Sequence, residues 1–124
     1  MEAMDCPFRE IDRILRETAR INPPKIVVVD FHAEATSEKN AMAWYLDGRV
    51  SAVVGTHTHV PTADNRVLPE GTAYVSDLGM VGPLNSVIGC EPDKIVEKFL
   101  TQTPQSFSVA KDGPVVFNSV LIDI

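Results

Sequence analysis

Residues 27–32 read Val-Val-Val-Asp-Phe-His and residues 53–59 read Val-Val-Gly-Thr-His-Thr-His, two apolar runs that both end in histidine. Continuous β-branched residues of this kind predict strands covered on both faces, here over residues 25–31 and 50–55. All three histidines of the chain, His32, His57 and His59, follow these strands. Functional groups gather at strand ends in α/β domains, so the three imidazoles are the first candidates for a site.

The segment between the two strands predicts a helix, which Thr36 or Ser37 caps and which continues to about Leu46. A strand, a helix and a strand form a crossover unit, which places the carboxyl ends of both strands at one edge of a parallel sheet. We therefore expect the three histidines to converge. Because side chains alternate along an extended backbone, the His-x-His pair is expected to present both rings on one side.

The remaining helices are predicted from proline positions and apolar spacing. Asp5 is expected to cap a first helix that has Pro7 in its first turn. Residues 91–100 predict a third helix, again with a proline at its start. Trp44, within the second helix, is expected to pack in the core.

The remaining strands are short. Residues 72–76 predict a strand after a Pro-Glu-Gly turn, and the glycines and proline of residues 79–83 indicate a loop. Residues 106–110 and 115–124 predict a C-terminal β-hairpin around a Lys-Asp-Gly turn. With 124 residues, the chain is predicted to form a single α/β domain over residues 1–124.

The overall composition excludes several classes of function. The chain is 44% hydrophobic and carries a formal net charge of -6, which disfavours binding to duplex nucleic acid. No leader pattern is present and no apolar run approaches the ~20 residues of a membrane span, so a cytoplasmic protein without membrane contact is expected. Cys6 and Cys90 are expected to be free thiols, because two cysteines form no disulfide framework.

Imidazole nitrogen suits iron, manganese and zinc, so the three histidines predict a metal site. Three nitrogens are too few to fill a site with two metals, and oxygen ligands must then come from elsewhere. Asp30 is a candidate for orienting His32 from behind, although it need not face the same side of the strand. Glu34 is a second candidate for this role, and the favoured interpretation for it is a solvated loop carboxylate.

Three further polar residues have open interpretations. Asp64 and Asn65 either orient the substrate or a ligating ring, or form an Asx turn. Asp77 follows a predicted strand and either touches the rim of the site or belongs to a turn. Glycine-rich phosphate loops and the Gly-x-Ser-x-Gly pattern are absent from the sequence, which disfavours nucleotide-dependent kinases and serine hydrolases.

The motif at residues 55–59 resembles the Gly-His-x-His closing motif of calcineurin-like metallophosphoesterases. Residues 29–39 and 55–66 are similar to the YmdB-type bacterial branch, which hydrolyses 2′,3′-cyclic nucleotides, and the likeness extends from about residue 5 to residue 124. The resemblance implies that the chain forms part of an αββα sandwich, with parallel crossover strands and a C-terminal β-hairpin. It also implies a small phosphodiester substrate.

The resemblance further implies a centre of two divalent or mixed-valence metal ions, iron or manganese. His32 and His57 then ligate one ion and His59 ligates the other. The polar residues expected beside the substrate or behind the ligands are Asp30, Thr58, Asp64 and Asn65.

The motifs that supply the bridging carboxylate and the proton donor in this family lie in an N-terminal half that the sequence does not contain. The chain is therefore expected to be the C-terminal half of a metallophosphoesterase domain, inactive by itself, with the missing half as a partner. Since an unpaired sheet edge recruits other strands, a homo-oligomer is also expected.

Two alternatives remain open at this point. Besides the phosphodiesterase, the first is a non-catalytic fragment that associates with itself, and the second is a relative of the capsule-synthesis metallophosphoesterases. The motif of the latter usually has proline between the histidines, where this chain has Thr58. Metal content distinguishes a complete site from a fragment, because a complete site holds two ions.

Overall fold

A four-stranded mixed sheet organises the protein, whose computed structural model describes residues 5–124. The helices are α1 (Pro7–Ile21), α2 (Thr36–Leu46) and α3 (Pro92–Thr101). The strands are β1 (Val28–His32), β2 (Ala52–Thr56), β3 (Arg66–Val67), β4 (Ala73–Val75), β5 (Val81–Pro83) and β6 (Val115–Phe117). The sheet order is β1-β2-β4-β3, and a separate antiparallel pair joins β5 to β6.

The predicted crossover unit is confirmed. Strands β1 and β2 are parallel neighbours connected through α2, and His32 lies opposite Thr56 in their register. Strand β4 pairs with the other side of β2 in the same direction. The carboxyl ends of three parallel strands therefore lie at one edge, where the segments that carry the histidines begin.

The core lies between α2 and the sheet. Its buried apolar residues are Met42, Ala43, Leu46, Val50, Val53, Leu68 and Tyr74. Helix α1 contributes the partly buried Phe8, Ile11 and Leu15. Strand β2 is central and buried on both faces, because neighbouring strands and α2 leave only its last residue partly accessible.

The prediction that the first strand is covered on both faces is wrong for β1. Its residues alternate between exposed and partly buried, and only Val29 and Phe31 pack against the core. Asp30 and His32 share the exposed face. The continuous apolar run is thus explained only in part by burial, because the residues on one face of β1 are exposed.

Helix starts differ from the predicted caps. Cys6 rather than Asp5 precedes α1, although Pro7 is in the first turn as predicted. Ala35 occupies the capping position of α2, where its carbonyl accepts hydrogen bonds from the amides of Glu38 and Lys39. The backbone alone therefore starts this helix. Trp44, predicted to lie in the core, is 55% exposed because α2 turns its 39, 42, 43 and 46 positions inward.

An antiparallel C-terminal pair is present as predicted, but its first strand differs. Strand β6 pairs with β5, which lies in residues predicted as a loop. Residues 106–110 instead bond to the segment before α3, through Ala110 to Gly89 and through Glu91 to Ser108. These long-range bonds replace the local hairpin.

The structure also bears on the cysteines and on the expected lack of a membrane span. Cys6 and Cys90 are free thiols. Within residues 5–124, every helix is too short or too polar to cross a membrane. Residues 1–4, which belong to the segment without a leader pattern, lie outside the described residues.

Candidate metal centre

His32 and His57 meet at the carboxyl edge of the sheet. The Nδ1 atom of His57 lies 2.9 Å from the Nε2 atom of His32. The two rings are almost perpendicular, at 87°, with their centroids 4.7 Å apart. The crossover topology therefore brings together two of the three predicted ligands.

A hydroxyl group fixes the orientation of His32. Thr56 Oγ1 donates to Asp30 Oδ1 at 2.8 Å, so the same oxygen is free to accept from His32 Nδ1 at 3.0 Å. A proton on Nδ1 leaves the lone pair of His32 Nε2 available to a metal ion. Asp30 faces the same side as His32, and the expectation that it need not do so is corrected by the period of two along β1.

His57 is held from its other side by a carboxylate. Its Nε2 atom lies 2.8 Å from Glu34 Oε2. The side chain of Glu34 is 82% exposed, so this residue is solvated as predicted and also contacts the ring. His57 Nδ1 is the nitrogen that points toward His32.

His59 contacts a different partner from the other two histidines. Its Nδ1 atom lies 2.9 Å from the carbonyl oxygen of Ile88, which accepts a hydrogen bond from the Nδ1–H group and leaves the lone pair on Nε2. His57 and His59 have φ angles of 107° and 68°, in the left-handed region. The prediction that these two histidines lie on an extended backbone is therefore wrong, and the alternation of side chains along a strand does not apply to them.

A buried ion pair lies beneath this loop. Lys39 Nζ is 2.8 Å from Asp77 Oδ2, and both side chains are 2% exposed. The amides of Thr58 and Gly79 also donate to the Asp77 carboxylate. Burial alone would raise the pKa of Asp77, but these hydrogen bonds, with that of Lys39 the strongest, lower it to about 2.

Sequence reasoning missed Lys39 and left Asp77 open. One signal was present, because Lys39 lies three, four and seven residues before Met42, Ala43 and Leu46 on the buried face of α2. A lysine in an apolar stripe requires a buried acid as its partner. Asp77 is that acid, and it lies under the histidine loop.

The contacts of Asp64 and Asn65 are made with residues other than His32 and His57. Asp64 accepts a hydrogen bond from Thr62 Oγ1 at 2.6 Å and bonds the amide and hydroxyl of Ser76. Burial would raise the pKa of Asp64, but these bonds lower it below its ordinary value. Asn65 lines a groove beside Val120. A substrate role for either residue stays a prediction.

The donor set fits a metal ion in part. Among residues 5–124, no three His, Cys, Asp or Glu side chains are grouped closely enough to hold an ion. The His32 and His57 pair nevertheless has a suitable spacing, because two nitrogens ~2.0–2.1 Å from one ion and at a right angle to each other lie ~2.9 Å apart. The metal role of the three histidines stays a prediction.

The crossover unit and the histidines at its carboxyl edge define an α/β domain with a candidate site at the end of parallel strands. Residues 1–124 match the family model described as YmdB-like protein, and the chain belongs to this family. It is 51% identical over 121 residues to the 2′,3′-cyclic-nucleotide 2′-phosphodiesterase of Bacillus subtilis, covering 98% of the chain and 45% of that relative. It is 41% identical to a putative phosphatase/phosphodiesterase of Mycoplasma pneumoniae, covering 98% and 44%.

Solved structures agree with this assignment. A hypothetical protein from Thermus thermophilus superposes with a TM-score of 0.82 at 52% identity, over 90% of this chain and 43% of that chain. A phosphatase from Mycoplasma pneumoniae superposes with a TM-score of 0.77 at 42% identity, over 85% and 36%. The predicted family and fold class are confirmed, and the chain spans less than half the length of the relatives it matches.

Proposed function

We propose that this chain is the histidine-bearing part of a metal-dependent phosphodiesterase that hydrolyses 2′,3′-cyclic nucleotides. The observation that supports it best is the contact between His57 Nδ1 and His32 Nε2, 2.9 Å apart at the carboxyl edge of parallel strands. A relative that is 51% identical is named for this reaction. The net charge of -6 also favours metal cations, rather than surplus lysine and arginine, as the groups that neutralise a phosphate ester.

Each histidine then has a distinct task. His32 Nε2 and His57 Nδ1 would hold one ion, and His59 Nε2 would hold a second, with iron or manganese as the metals that suit nitrogen and oxygen ligands. A pair of such ions activates water and stabilises the charge of a phosphate in hydrolysis. Thr56 with Asp30 orients the ring of His32, and the Ile88 carbonyl orients the ring of His59. In this proposal Thr58, Asp64 and Asn65 lie near the substrate or behind the ligands.

The activity requires groups beyond this chain. Two-metal hydrolysis needs a ligand shared by both ions and a proton donor, and we propose that another half of the domain supplies both. The chain spans 45% of its Bacillus subtilis relative, which leaves room for that half as a partner. We therefore propose that the chain alone is inactive, and that the complete enzyme is cytoplasmic.

Reconstitution tests the proposal. The portion of the Bacillus subtilis relative that this chain does not match is expressed separately and mixed with the chain, in the presence of Mn²⁺ or Fe²⁺. Hydrolysis of bis-p-nitrophenyl phosphate and of a 2′,3′-cyclic nucleotide is expected only in the mixture. His57→Ala removes a metal ligand and is expected to abolish this activity, whereas Thr103→Ala, a change on the exposed chain after α3, leaves it intact. Metal-dependent turnover by the chain alone that survives His57→Ala contradicts the proposal.

A second candidate is supported by the open edge of β1. The strand pairs on one side only, and Val28 on it is 52% exposed, which favours a non-catalytic fragment that associates through this edge. The metal content measured in the presence of the partner half separates the candidates. A fragment without a catalytic role binds no ion or one ion per chain, whereas the first proposal requires two.

A further inference from the structure

The loop that carries His57 and His59 is supported by the buried pair of Lys39 and Asp77. We propose that Asp77, with Lys39 as its counter-charge, is a positioning residue that holds this loop in its metal-binding conformation. The metal part of this inference rests on the proposed function, whereas the loop part stands on the geometry alone.

The carboxylate of Asp77 joins three separate segments of the chain. Its Oδ2 atom accepts from Lys39 Nζ of α2 at 2.8 Å and from the amide of Thr58 at 3.0 Å. Its Oδ1 atom accepts from the amide of Gly79 at 2.8 Å. Asp77 itself follows β4, so a single side chain connects α2, the histidine loop and the segment after β4. Such charge-assisted bonds are stronger than neutral ones.

The side chain of Lys39 is tightly packed along its path to Asp77. A methyl group added at Gly55 would lie 3.0 Å from Lys39 Cδ and 1.7 Å from the carbonyl oxygen of Ser76. Residue 55 therefore has no space for a side chain where Lys39 passes toward Asp77. A salt bridge buried this deeply is costly unless both charges are present and hydrogen bonded. The carboxylate of Asp77 meets this condition, and its pKa of about 2 agrees.

The loop needs such support because its backbone conformation is unfavourable. His57 and His59 both have positive φ angles, which are uncommon for residues with a side chain and persist where surrounding contacts hold them. Thr58 lies between them, and its amide donates a hydrogen bond to the Asp77 carboxylate. On the far side, the amide of Met80 donates to the carbonyl of His59. The backbone that carries the rings of His57 and His59 is thus held by two hydrogen bonds, one from the amide of Thr58 and one to the carbonyl of His59.

The test compares variants of the 124-residue chain by three measurements: melting temperature, amide exchange of Thr58 relative to the amides of β2, and a titration with Co²⁺. Asp77→Asn leaves Lys39 without a counter-charge, so the double variant Lys39→Met/Asp77→Asn is included to preserve folding. Leu46→Ala is the control, because it opens a cavity on the same buried face of α2, two turns from Lys39.

We expect Thr58 exchange in the double variant to rise by about tenfold or more, since a charge-assisted hydrogen bond is replaced by a weaker one. Its affinity for Co²⁺ is expected to fall by about tenfold or more, as for other losses behind metal ligands. Leu46→Ala lowers the melting temperature and leaves both properties unchanged. Thr58 exchange that equals the wild type in a folded double variant overturns the inference, and so does an equal loss in Leu46→Ala.

The result also separates this inference from the proposed function. A wild-type chain that binds no Co²⁺ contradicts the metal roles of the histidines. In that case the exchange of the Thr58 amide still decides whether Asp77 holds the loop. Conversely, unchanged Co²⁺ affinity in the double variant overturns the positioning role and leaves the metal site standing.

Discussion

Thr56 lies directly opposite His32 in the parallel register of β1 and β2, and its hydroxyl oxygen is 3.0 Å from the Nδ1 atom of that ring. Parallel pairing thus places a hydrogen-bond partner beside the strand-end histidine without help from a distant loop. The same hydroxyl donates to Asp30, so the ring, the hydroxyl and the carboxylate form a single chain of hydrogen bonds.

Replacing Thr56 with valine should weaken metal binding without unfolding the protein. The variant removes the acceptor of His32 Nδ1, and loss of a group behind a metal ligand typically costs about 10–100-fold in affinity. Stability should change by only about 1 kcal/mol. Titration with Co²⁺, together with urea unfolding, measures both effects. Thr56→Ser retains the hydroxyl and should bind like the wild type; equal weakening in this control would show that the hydroxyl is not responsible.

Gly55→Ala should be strongly destabilising. The new Cβ would lie 1.7 Å from the Ser76 carbonyl oxygen, so the contact between β2 and the segment after β4 must open. Overpacking of this kind costs about 3 kcal/mol or more. Gly82→Ala is the matched control, because its nearest neighbour is Met80 Sδ at 3.8 Å and it should change the free energy of unfolding little. Similar unfolding midpoints for the two variants would refute the prediction.

Asp77 should contribute to acid sensitivity. Its pKa is about 2 in the folded protein and about 3.9 when unfolded, so its contribution to stability is fully present above pH ~4 and is lost as the pH falls toward 2. The contribution is about 2–3 kcal/mol. Urea unfolding at a series of pH values should show this loss in the wild type and a correspondingly smaller loss in Lys39→Met/Asp77→Asn. Identical pH profiles would mean that Asp77 is not held as a buried carboxylate.

The chain should form dimers or larger assemblies through β1. This strand has five residues, an unpaired edge and an exposed Val28, and such edges recruit other strands. Val28→Lys should shift the assembly toward monomer in sedimentation experiments. Val67→Lys alters the opposite edge, where β3 has only two residues, and should have no such effect. A monomeric wild type at high micromolar concentration would contradict the prediction.

The meeting of His32 and His57 could be predicted from sequence because it depends on topology. Two β-branched runs joined by a helix place their ends at one edge of the sheet, whatever the details of the loops. The direction of His59 could not be predicted in this way. It depends on positive φ angles and on the carbonyl of Ile88, which lies 29 residues away.

Other failures have the same origin in long-range contacts. Residues 106–110 lose their local hairpin because they bond to residues 89–91. The apolar ring of Trp44 predicts burial in the core, yet Trp44 is exposed and the buried face of α2 contains Lys39. Lys39 is buried there because it pairs with Asp77, which lies 38 residues further along the chain.

The positive φ angles at His57 and His59 set stability and function against each other. Glycine adopts these angles freely, whereas a residue with a side chain loses about 1–3 kcal/mol at each. Replacing either histidine with glycine would relieve the backbone and remove the imidazole. A redesign guided only by thermal stability would therefore choose glycine at both positions and remove the candidate metal ligands, which makes this loop a segment to hold fixed in any effort to stabilise the protein.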